Sequence, residues 1–293
     1  MKTTFHRING EITHRITLIA DVHDFKNDHL FESVNKYRPD IIVVAGDIVN
    51  GISLDKTGFK YDPSTPMLTR FPNADKLIQT LPNIAPTFFS YGNHEWMLNE
   101  VDVERIQSAG VVILHNTFIR YSDLVIGGLS SPDVTHYWFF QKEWRAEHPD
   151  DTKGNLRRSY YCWKTHEERK MVDSSWLPEF EKQEGYKILI CHHPEYWALK
   201  EPKLCERPID LVLSGHAHGG QIRIGGQGLY ASGQGWFPKY TSGVHHGKYG
   251  DMIISRGLSN TNLIPRLFNP TEIVHVDVIG GRQLSSGGEY RRR

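Results

Sequence analysis

The chain has 293 residues, of which 39% are hydrophobic and 23% charged, as is ordinary for a globular protein. Its 34 basic side chains equal its 34 acidic ones, so it lacks the positive excess of a protein that coats nucleic acid. No run approaches the ~20 apolar residues of a membrane span, and residues 1–14 contain no apolar stretch of signal-peptide length. We therefore expect a cytoplasmic protein with no stable binding to nucleic acid.

Short apolar runs that are rich in β-branched or aromatic residues predict buried strands. Five of them lie at residues 16–20, 41–45, 87–91, 187–191 and 210–214. Further strands are predicted at residues 111–114, 124–128, 251–255 and 272–278.

Apolar residues at helical spacing predict three helices between these strands. The first presents Leu30, Phe31, Val34 and Tyr37 on one face and is closed by Pro39. The second presents Leu77, Ile78 and Leu81 and is stopped by Pro82. The third contains Ile106 and ends with Gly110 in the position just past the last helical turn.

Two stretches depart from this alternation of strands and helices. Residues 131–172 are rich in aromatic and charged side chains and are predicted to be an insertion, either a substrate lid or a satellite apolar cluster. Residues 215–250 are dense in glycine. The basic tail at about 280–293 is predicted to be loose. With no internal repeat and no linker, residues 1–293 are predicted to form a single domain.

Each of the five buried strand runs leads into residues that can bind a metal. These are Asp21 and His23, Asp47, Asn93 to Glu95, His192 and His193, and His216 with His218. In open α/β sheets, ligands bind beyond the carboxyl ends of the strands, so these groups are expected to converge on one rim.

The ligand types favour hard to borderline divalent cations. Carboxylate, amide oxygen and imidazole without thiolate suit Mn²⁺, Fe or Zn²⁺, and the three cysteines form no CxxC pair. A carboxylate has two oxygens and can bridge two ions. Two-metal sites hold their ions ~3.5–4 Å apart and clamp both the attacking and leaving oxygens of an in-line displacement. We therefore expect two divalent metal ions per chain, of uncertain identity.

The order of these blocks resembles the calcineurin-like metallophosphoesterases. The chain contains Asp-x-His at 21–23, Gly-Asp at 46–47, Gly-Asn-His-Glu at 92–95, His at 192 and Gly-His-x-His at 215–218. The resemblance spans roughly residues 13–278. It implies an α/β fold, namely a four-layer αββα sandwich around two mixed β-sheets.

The same resemblance implies a role for each site residue. The ligands implied for one ion are Asp21, His23, Asp47 and His218. Those implied for the other are Asp47, Asn93, His192 and His216, with Asp47 as the bridge. His94 is implied to be a catalytic residue that binds no metal and hydrogen-bonds the phosphoryl oxygens or protonates the leaving group.

Segments nearer the C-terminus resemble one bacterial branch of the family. They are residues 214–222, 233–240, 255–258 and 268–273. That branch contains membrane-associated phosphodiesterases and is related to pyrophosphatases acting on UDP-diacylglucosamine. The chain departs from it because no anchoring segment is recognised near its N-terminus, so peripheral membrane contact stays open without a predicted anchor.

Other histidines offer alternatives to the implied ligands. His192 is favoured over His193 as a metal ligand because of its position directly after the strand and its spacing to Pro194. His193 is then free to face solvent. His245 and His246 could reach the site from the glycine-dense segment, although a solvated loop pair is favoured.

We expect a binuclear hydrolase that cleaves a phosphodiester or related phosphate ester by attack of metal-bound hydroxide. A small phosphate ester is the expected substrate. One alternative is a pyrophosphatase acting on a nucleotide-linked lipid or sugar. The alternative of another class is a metal-binding scaffold without turnover. The sequence leaves the physiological substrate, the metal pair and the oligomeric state open.

Overall fold

The computed structural model describes residues 1–26, 28–50, 66–134, 172–259 and 264–281. The strands are β1 Lys2–Gly10, β2 His14–Ile19, β3 Ile41–Ala45, β4 Thr87–Ser90, β5 Val111–Ile113, β6 Thr117–Tyr121, β7 Leu124–Leu129, β8 Tyr186–Cys191, β9 Leu211–Ser214, β10 Arg223–Ile224, β11 Gln227–Gly228, β12 Tyr230–Ala231, β13 Gly235–Trp236, β14 Gly243–His246, β15 Asp251–Ile254 and β16 Glu272–Gly280. The α-helices are α1 Asp28–Tyr37, α2 Pro72–Thr80, α3 Glu100–Ser108 and α4 Leu177–Glu181.

Two six-stranded mixed sheets form the centre of the fold. The first has the strand order β1-β16-β2-β3-β4-β5, in which only the β16–β2 pair is antiparallel. The second has the order β14-β15-β9-β8-β7-β6, with antiparallel pairs at both edges and parallel strands between them. The hairpins β10–β11 and β12–β13 lie in the glycine-dense segment.

Alternation along the strands explains how the layers pack. On β3, Ile41 and Val43 join the apolar core between the two sheets, whereas Ile42 and Val44 face the core under α1, α2 and α3. On the second sheet, β7, β8 and β9 direct alternate residues to a third core that contains Leu177 of α4. The order of layers is therefore helix, sheet, sheet, helix, and the predicted fold class is confirmed.

The predicted elements are found close to their expected bounds. All nine predicted strands and all three predicted helices are present, and Gly110 follows α3 with φ +94°. Strand β1 was not predicted, since residues 1–14 read as polar. It is an edge strand, and of its residues only Ile8 is buried, so polar side chains are tolerated along it.

The predicted insertion lies almost entirely outside the described residues. Only residues 131–134 and 172 of the stretch 131–172 are described, and only residues 280–281 of the predicted tail. The lid interpretation and the single-domain division stay predictions. Among the described residues, no helix is both long enough and apolar enough to cross a bilayer.

Candidate metal centre

The carboxyl ends of five parallel strands bring the candidate site residues to one buried rim. Asp21 and His23 follow β2, Asp47 follows β3, Asn93 and His94 follow β4, His192 follows β8, and His216 and His218 follow β9. All of them are buried except Asn93, which is partly exposed. The convergence expected from the strand ends is observed for all eight side chains.

The first group of candidate ligands comprises Asp21, His23 and His218, whose ligand atoms lie within 4.8 Å of one another. Nε2 of His218 is 3.5 Å, and Nε2 of His23 4.0 Å, from Oδ1 of Asp21. Nδ1 of His218 lies 3.1 Å from the carbonyl oxygen of Ser259, and Nδ1 of His23 lies 3.1 Å from the carbonyl oxygen of Val49. A carbonyl can only accept, so both Nδ1 atoms carry the proton and both Nε2 lone pairs face Asp21.

The second group comprises Asp47, His192 and His216, again with ligand atoms within 4.8 Å of one another. Nδ1 of His192 donates to the carbonyl of Ala45 at 2.7 Å, which points Nε2 into the group. That Nε2 lies 3.1 Å from Oδ2 of Asp47 and 3.2 Å from Oδ1 of Asn93. The amide oxygen of Asn93 therefore belongs to this second group.

Asp47 lies between the two groups. Its Oδ2 is 3.1 Å from Nε2 of His192 and 3.6 Å from Nε2 of His23, while its Oδ1 accepts the backbone N–H of His94 at 2.8 Å. Burial raises the pKa of Asp47, but the surrounding imidazoles, with His192 as the strongest influence, hold it well below its usual range. Asp47 is thus a carboxylate whose Oδ2 faces both groups.

The donor set fits a pair of divalent cations. Two buried carboxylates face imidazoles, and Nε2 of His23 is buried without a hydrogen-bond partner. Burial and neighbouring histidines lower the pKa of His23 and of His216 well below the usual value, so both rings are neutral. Neutral imidazole and ionised carboxylate are the forms in which these side chains bind metals.

Five of the candidate ligands have left-handed backbone conformations. The φ angles are +52° at Asp21, +46° at His23, +56° at Asp47, +66° at His216 and +46° at His218. A non-glycine residue in this region costs on the order of 1–3 kcal/mol and persists only where its surroundings enforce it. Such conformations cluster at functional sites, which supports a functional role for this rim.

Glu95 holds the backbone of the site, a role that was not predicted from the sequence. Its carboxylate accepts the backbone N–H groups of Asp47, Ile48 and Gly92 at 2.8, 2.8 and 2.7 Å. Burial and the charge of Asp47 raise the pKa of Glu95 to about 8. The signal available in the sequence was a carboxylate directly after His94, within the block quoted for the family.

His193 is buried, with 8% of its surface exposed, so the prediction that it is free to face solvent was wrong. Its Nε2 lies 2.9 Å from Oγ of Ser131 and its Nδ1 lies 3.2 Å from Oε1 of Glu195. Its ring centroid is 4.3 Å from that of His216. His193 therefore packs against the ring of His216, a member of the second group.

His245 and His246 do not join the described metal groups. Both lie in the edge strand β14, and His246 binds Asp251 at 2.8 Å where β15 begins. Because β15 runs parallel to β9, the start of β15 lies beside the start of β9. His246 is therefore at the opposite end of these strands from His216, which follows the end of β9. The sequence favoured a solvated loop for these two histidines, but they lie in a strand, because β14 pairs with β15 at the edge of the sheet.

Comparisons with known proteins agree on one protein family. The sequence model of the calcineurin-like phosphoesterase family matches residues 14–220. Uncharacterized protein YpbG of Bacillus subtilis is 26% identical over 267 residues, which cover 89% of this chain and 79% of that protein. Phosphodiesterase YaeI of Escherichia coli is 23% identical over 194 residues, or 64% of this chain and 52% of that protein.

Other relatives are longer than the matched region. A transmembrane protein with metallophosphoesterase domain from Danio rerio is 26% identical over 218 residues, covering 71% of this chain but only 41% of that protein. Among solved structures, a dimetal phosphatase from Danio rerio has a TM-score of 0.45 at 14% identity, with 83% of this chain and 87% of that chain covered.

Proposed function

Because the chain belongs to the calcineurin-like phosphoesterase family and is therefore a metal-dependent phosphoric ester hydrolase, we propose that it cleaves phosphodiesters at the buried rim. The proposed ligands of one ion are Asp21, His23, Asp47 and His218. Those of the second ion are Asp47, Asn93, His192 and His216. The observation that carries this assignment is the position of Asp47 Oδ2, 3.6 Å from His23 Nε2 and 3.1 Å from His192 Nε2.

The proposed ligands and the groups that hold them have separate roles. Two divalent cations, when bound, would polarise the phosphoryl group and lower the pKa of a coordinated water to about 7. Asp47 supplies negative charge between the two groups, and Glu95 holds its backbone through the N–H groups of the Asp47 turn. The carbonyls behind His23 and His218 keep those rings turned towards Asp21.

His94 is the proposed contact for the reacting phosphate. Its Nδ1 is buried without a hydrogen-bond partner, while its Nε2 lies 3.9 Å from Oδ2 of Asp47. Burial lowers the pKa of His94, although the charge of Asp47 opposes this, and a neutral ring still carries one N–H. That N–H can donate a hydrogen bond to a phosphoryl oxygen, whereas protonation of the leaving oxygen requires the doubly protonated ring.

Hydrolysis of a panel of substrates by the metal-loaded chain tests this proposal. The panel contains a monoester, a chromogenic diester and a nucleotide pyrophosphate, each measured with Mn²⁺, Fe²⁺ or Zn²⁺. We expect the highest kcat/KM for the diester, and an Asp47→Asn preparation provides the control for contaminating hydrolases. Turnover confined to the pyrophosphate would favour the pyrophosphatase alternative, and bound metal without any turnover would favour a scaffold.

A further inference from the structure

A cavity of about 410 Å³ lies at the end of the two sheets that is opposite the candidate metal centre. The end of β1, the start of β8 and the turn between β14 and β15 contribute to its walls. Strand β8 begins with Tyr186 at the cavity and leads to His192 at the metal centre, so at about 3.3 Å per residue the two places are about 20 Å apart. Ligand pockets commonly measure roughly 300–1,000 Å³. We call this space the distal cavity and define it by the side chains of Glu11, Tyr186, Asp210, His246, Lys248 and Asp251.

Negative charge predominates in the distal cavity. Glu11, Asp210 and Asp251 contribute carboxylates, whereas Lys248 is the single lysine or arginine among the lining residues, all of which the structure describes. Nδ1 of His246 lies 2.8 Å from Oδ1 of Asp251, which leaves the other two carboxylates without this partner. The excess of carboxylates favours a cationic ligand.

The three carboxylates are spread across the distal cavity. Glu11 follows β1, Asp210 directly precedes β9, and Asp251 begins β15. Among the described residues, the groups of side chains that are close enough to share one metal ion include none of these three. One small ion therefore cannot contact all of them, and a ligand that neutralises them must carry several separated positive charges.

The hydroxyl of Tyr186 lacks a partner at this site. Tyr186 is 6% exposed, and its Oη is buried without a hydrogen-bond partner. Burial raises the pKa of Tyr186, and the charges of Asp210 and Asp251 add to the shift, so the hydroxyl keeps its proton. Buried polar atoms normally have a hydrogen-bond partner, and a phenolic oxygen can accept from an ammonium group. The orphan oxygen therefore points to a ligand with N–H donors.

The walls of the distal cavity are fixed by close backbone packing. A Cβ on Gly10 would lie 3.0 Å from Cε2 of Tyr186, and a Cβ on Gly250 would overlap the carbonyl oxygen of Asp210. The N–H of Gly247 donates to the carbonyl of Gly250 at 2.9 Å, which closes the turn between β14 and β15. The fold thus holds the polar groups of the cavity in place before any ligand binds.

We propose that the distal cavity binds a linear polyamine, whose ammonium groups pair with the carboxylates of Glu11, Asp210 and Asp251. Hydrogen bonds between ammonium and carboxylate are roughly twice as strong as those between neutral groups. The methylene chain between the amines lets each charge reach a carboxylate of a different segment, and an ammonium near Tyr186 donates to its Oη. This binding depends neither on the metal ions nor on hydrolysis of a phosphate ester.

Titration calorimetry of the metal-loaded full chain with spermidine tests the proposal. The titration is made in about 0.15 M salt, which screens attraction between exposed charges. We expect saturable binding at a single site. Asp210→Asn keeps an oxygen that can accept the backbone N–H of Lys187, and it should weaken binding about ten-fold or more. Tyr186→Phe removes only the hydroxyl and should weaken binding about three- to ten-fold, with an unchanged melting temperature to show that it is folded. Glu11→Gln, at an exposed position, should weaken binding about two- to five-fold.

Glu32→Gln is the matched control, because it removes an equal charge from an exposed position on α1. It should bind spermidine as the parent chain does, and so should Asp47→Asn, since the distal cavity is separate from the metal centre. The proposal is overturned if the parent chain does not bind spermidine, or if Asp210→Asn and Tyr186→Phe bind it as tightly as the parent. Loss of binding in Asp47→Asn would place spermidine at the metal centre instead. Displacement of spermidine by an equal concentration of Mg²⁺ would identify a divalent-cation site and refute the polyamine assignment.

Discussion

At the scale of single residues, the two oxygens of Asp47 have different partners. Oδ1 accepts the backbone N–H of His94, while Oδ2 faces His192 and His23. One oxygen is thus used to hold the turn after β4, and the other is left for the interior of the site. Three predictions about individual side chains follow from this arrangement and from the histidines around it.

Asp47→Asn should be the most damaging change to a ligand. The amide replaces a charged group that faces both sets of ligands, so we expect bound metal well below that of the parent and almost no diester hydrolysis. Elemental analysis and a chromogenic diester assay measure both effects. Asp28→Asn, at the exposed start of α1, is the control and should change neither. Two ions still bound to the Asp47 variant, with intact turnover, would refute the bridging assignment.

His94→Ala should leave metal content near normal and slow catalysis by ~10²–10⁴-fold, the usual contribution of a positioned proton donor. If His94 protonates the leaving oxygen, the loss is smaller for an ester with a good leaving group such as p-nitrophenolate. Steady-state rates on esters of graded leaving groups measure this. His246→Ala, at the far edge of the second sheet, should have no effect. A loss of metal in the His94 variant would instead make His94 a ligand.

Metal binding should release a proton from His192. Burial lowers the pKa of this ring, but Asp47 outweighs burial and raises it to about 10 in the metal-free protein. Since Nδ1 donates to Ala45, the proton lost on binding is the one on Nε2. Affinity should therefore rise with pH up to about 10, roughly ten-fold per pH unit for one proton. Titration calorimetry in buffers of different ionisation enthalpy measures the release, and a heat that is independent of buffer would contradict it.

At the scale of elements, the turns after β3 and β4 approach each other so closely that both need glycine. A Cβ on Gly46 would lie 2.5 Å from the backbone nitrogen of Gly92. A Cβ on Gly92 would overlap Oδ1 of Asp47 and lie 2.8 Å from its backbone nitrogen. Glu95 then bonds the N–H groups of both turns, so the two strand ends form one rigid unit.

Gly92→Ala should therefore displace Asp47. We expect the free energy of unfolding to fall by about 1–3 kcal/mol, as for other overpacked interiors, and metal content to fall with it. Urea denaturation and elemental analysis measure the two effects. Gly281→Ala is the control, because a Cβ there meets nothing within 4 Å. Unchanged metal content in the Gly92 variant would mean that the turn accommodates the methyl group by moving elsewhere.

At the scale of the whole molecule, the metal centre joins the two sheets. Asp21 and Asp47 come from the first sheet and His192, His216 and His218 from the second. Hydrogen bonds already cross this boundary, since the N–H of His216 donates to the carboxylate of Asp21 at 3.1 and 3.0 Å. Ions held by the proposed ligands would be bound by residues of both sheets and would therefore stabilise the sandwich as well as the site.

Removing metal should therefore lower the melting temperature. Each ion present at about 100 times its dissociation constant contributes about 2.7 kcal/mol, so a chain of this size should lose about 5–10 °C when both ions are withdrawn. Calorimetry of the chain before and after dialysis against a chelator measures the shift, which added Mn²⁺ or Zn²⁺ should reverse. The Asp47→Asn variant should respond less. An equal melting temperature with and without chelator would show that the ions do not join the sheets.

Local patterns determined most of the strands and helices in advance. Continuous apolar runs such as 41–45 are buried on both faces, so their composition identifies them without knowledge of their neighbours. Strands β1, β6 and β14 and the hairpins β10–β11 and β12–β13 escaped prediction. They lie at edges or on the surface, where pairing partners rather than side-chain burial define the strand.

The sequence by itself determined which residues lie at the candidate site, because polar groups directly after buried parallel strands must meet at one rim. It could not determine that Asp47 Oδ2 faces both groups of ligands, that His193 is buried against His216, or that Phe237 and Phe268 project into water. These features depend on distances between segments far apart in the chain and on single φ angles. Only the packing of one sheet on the other decides them, since the nearest partners of each residue belong to different strands.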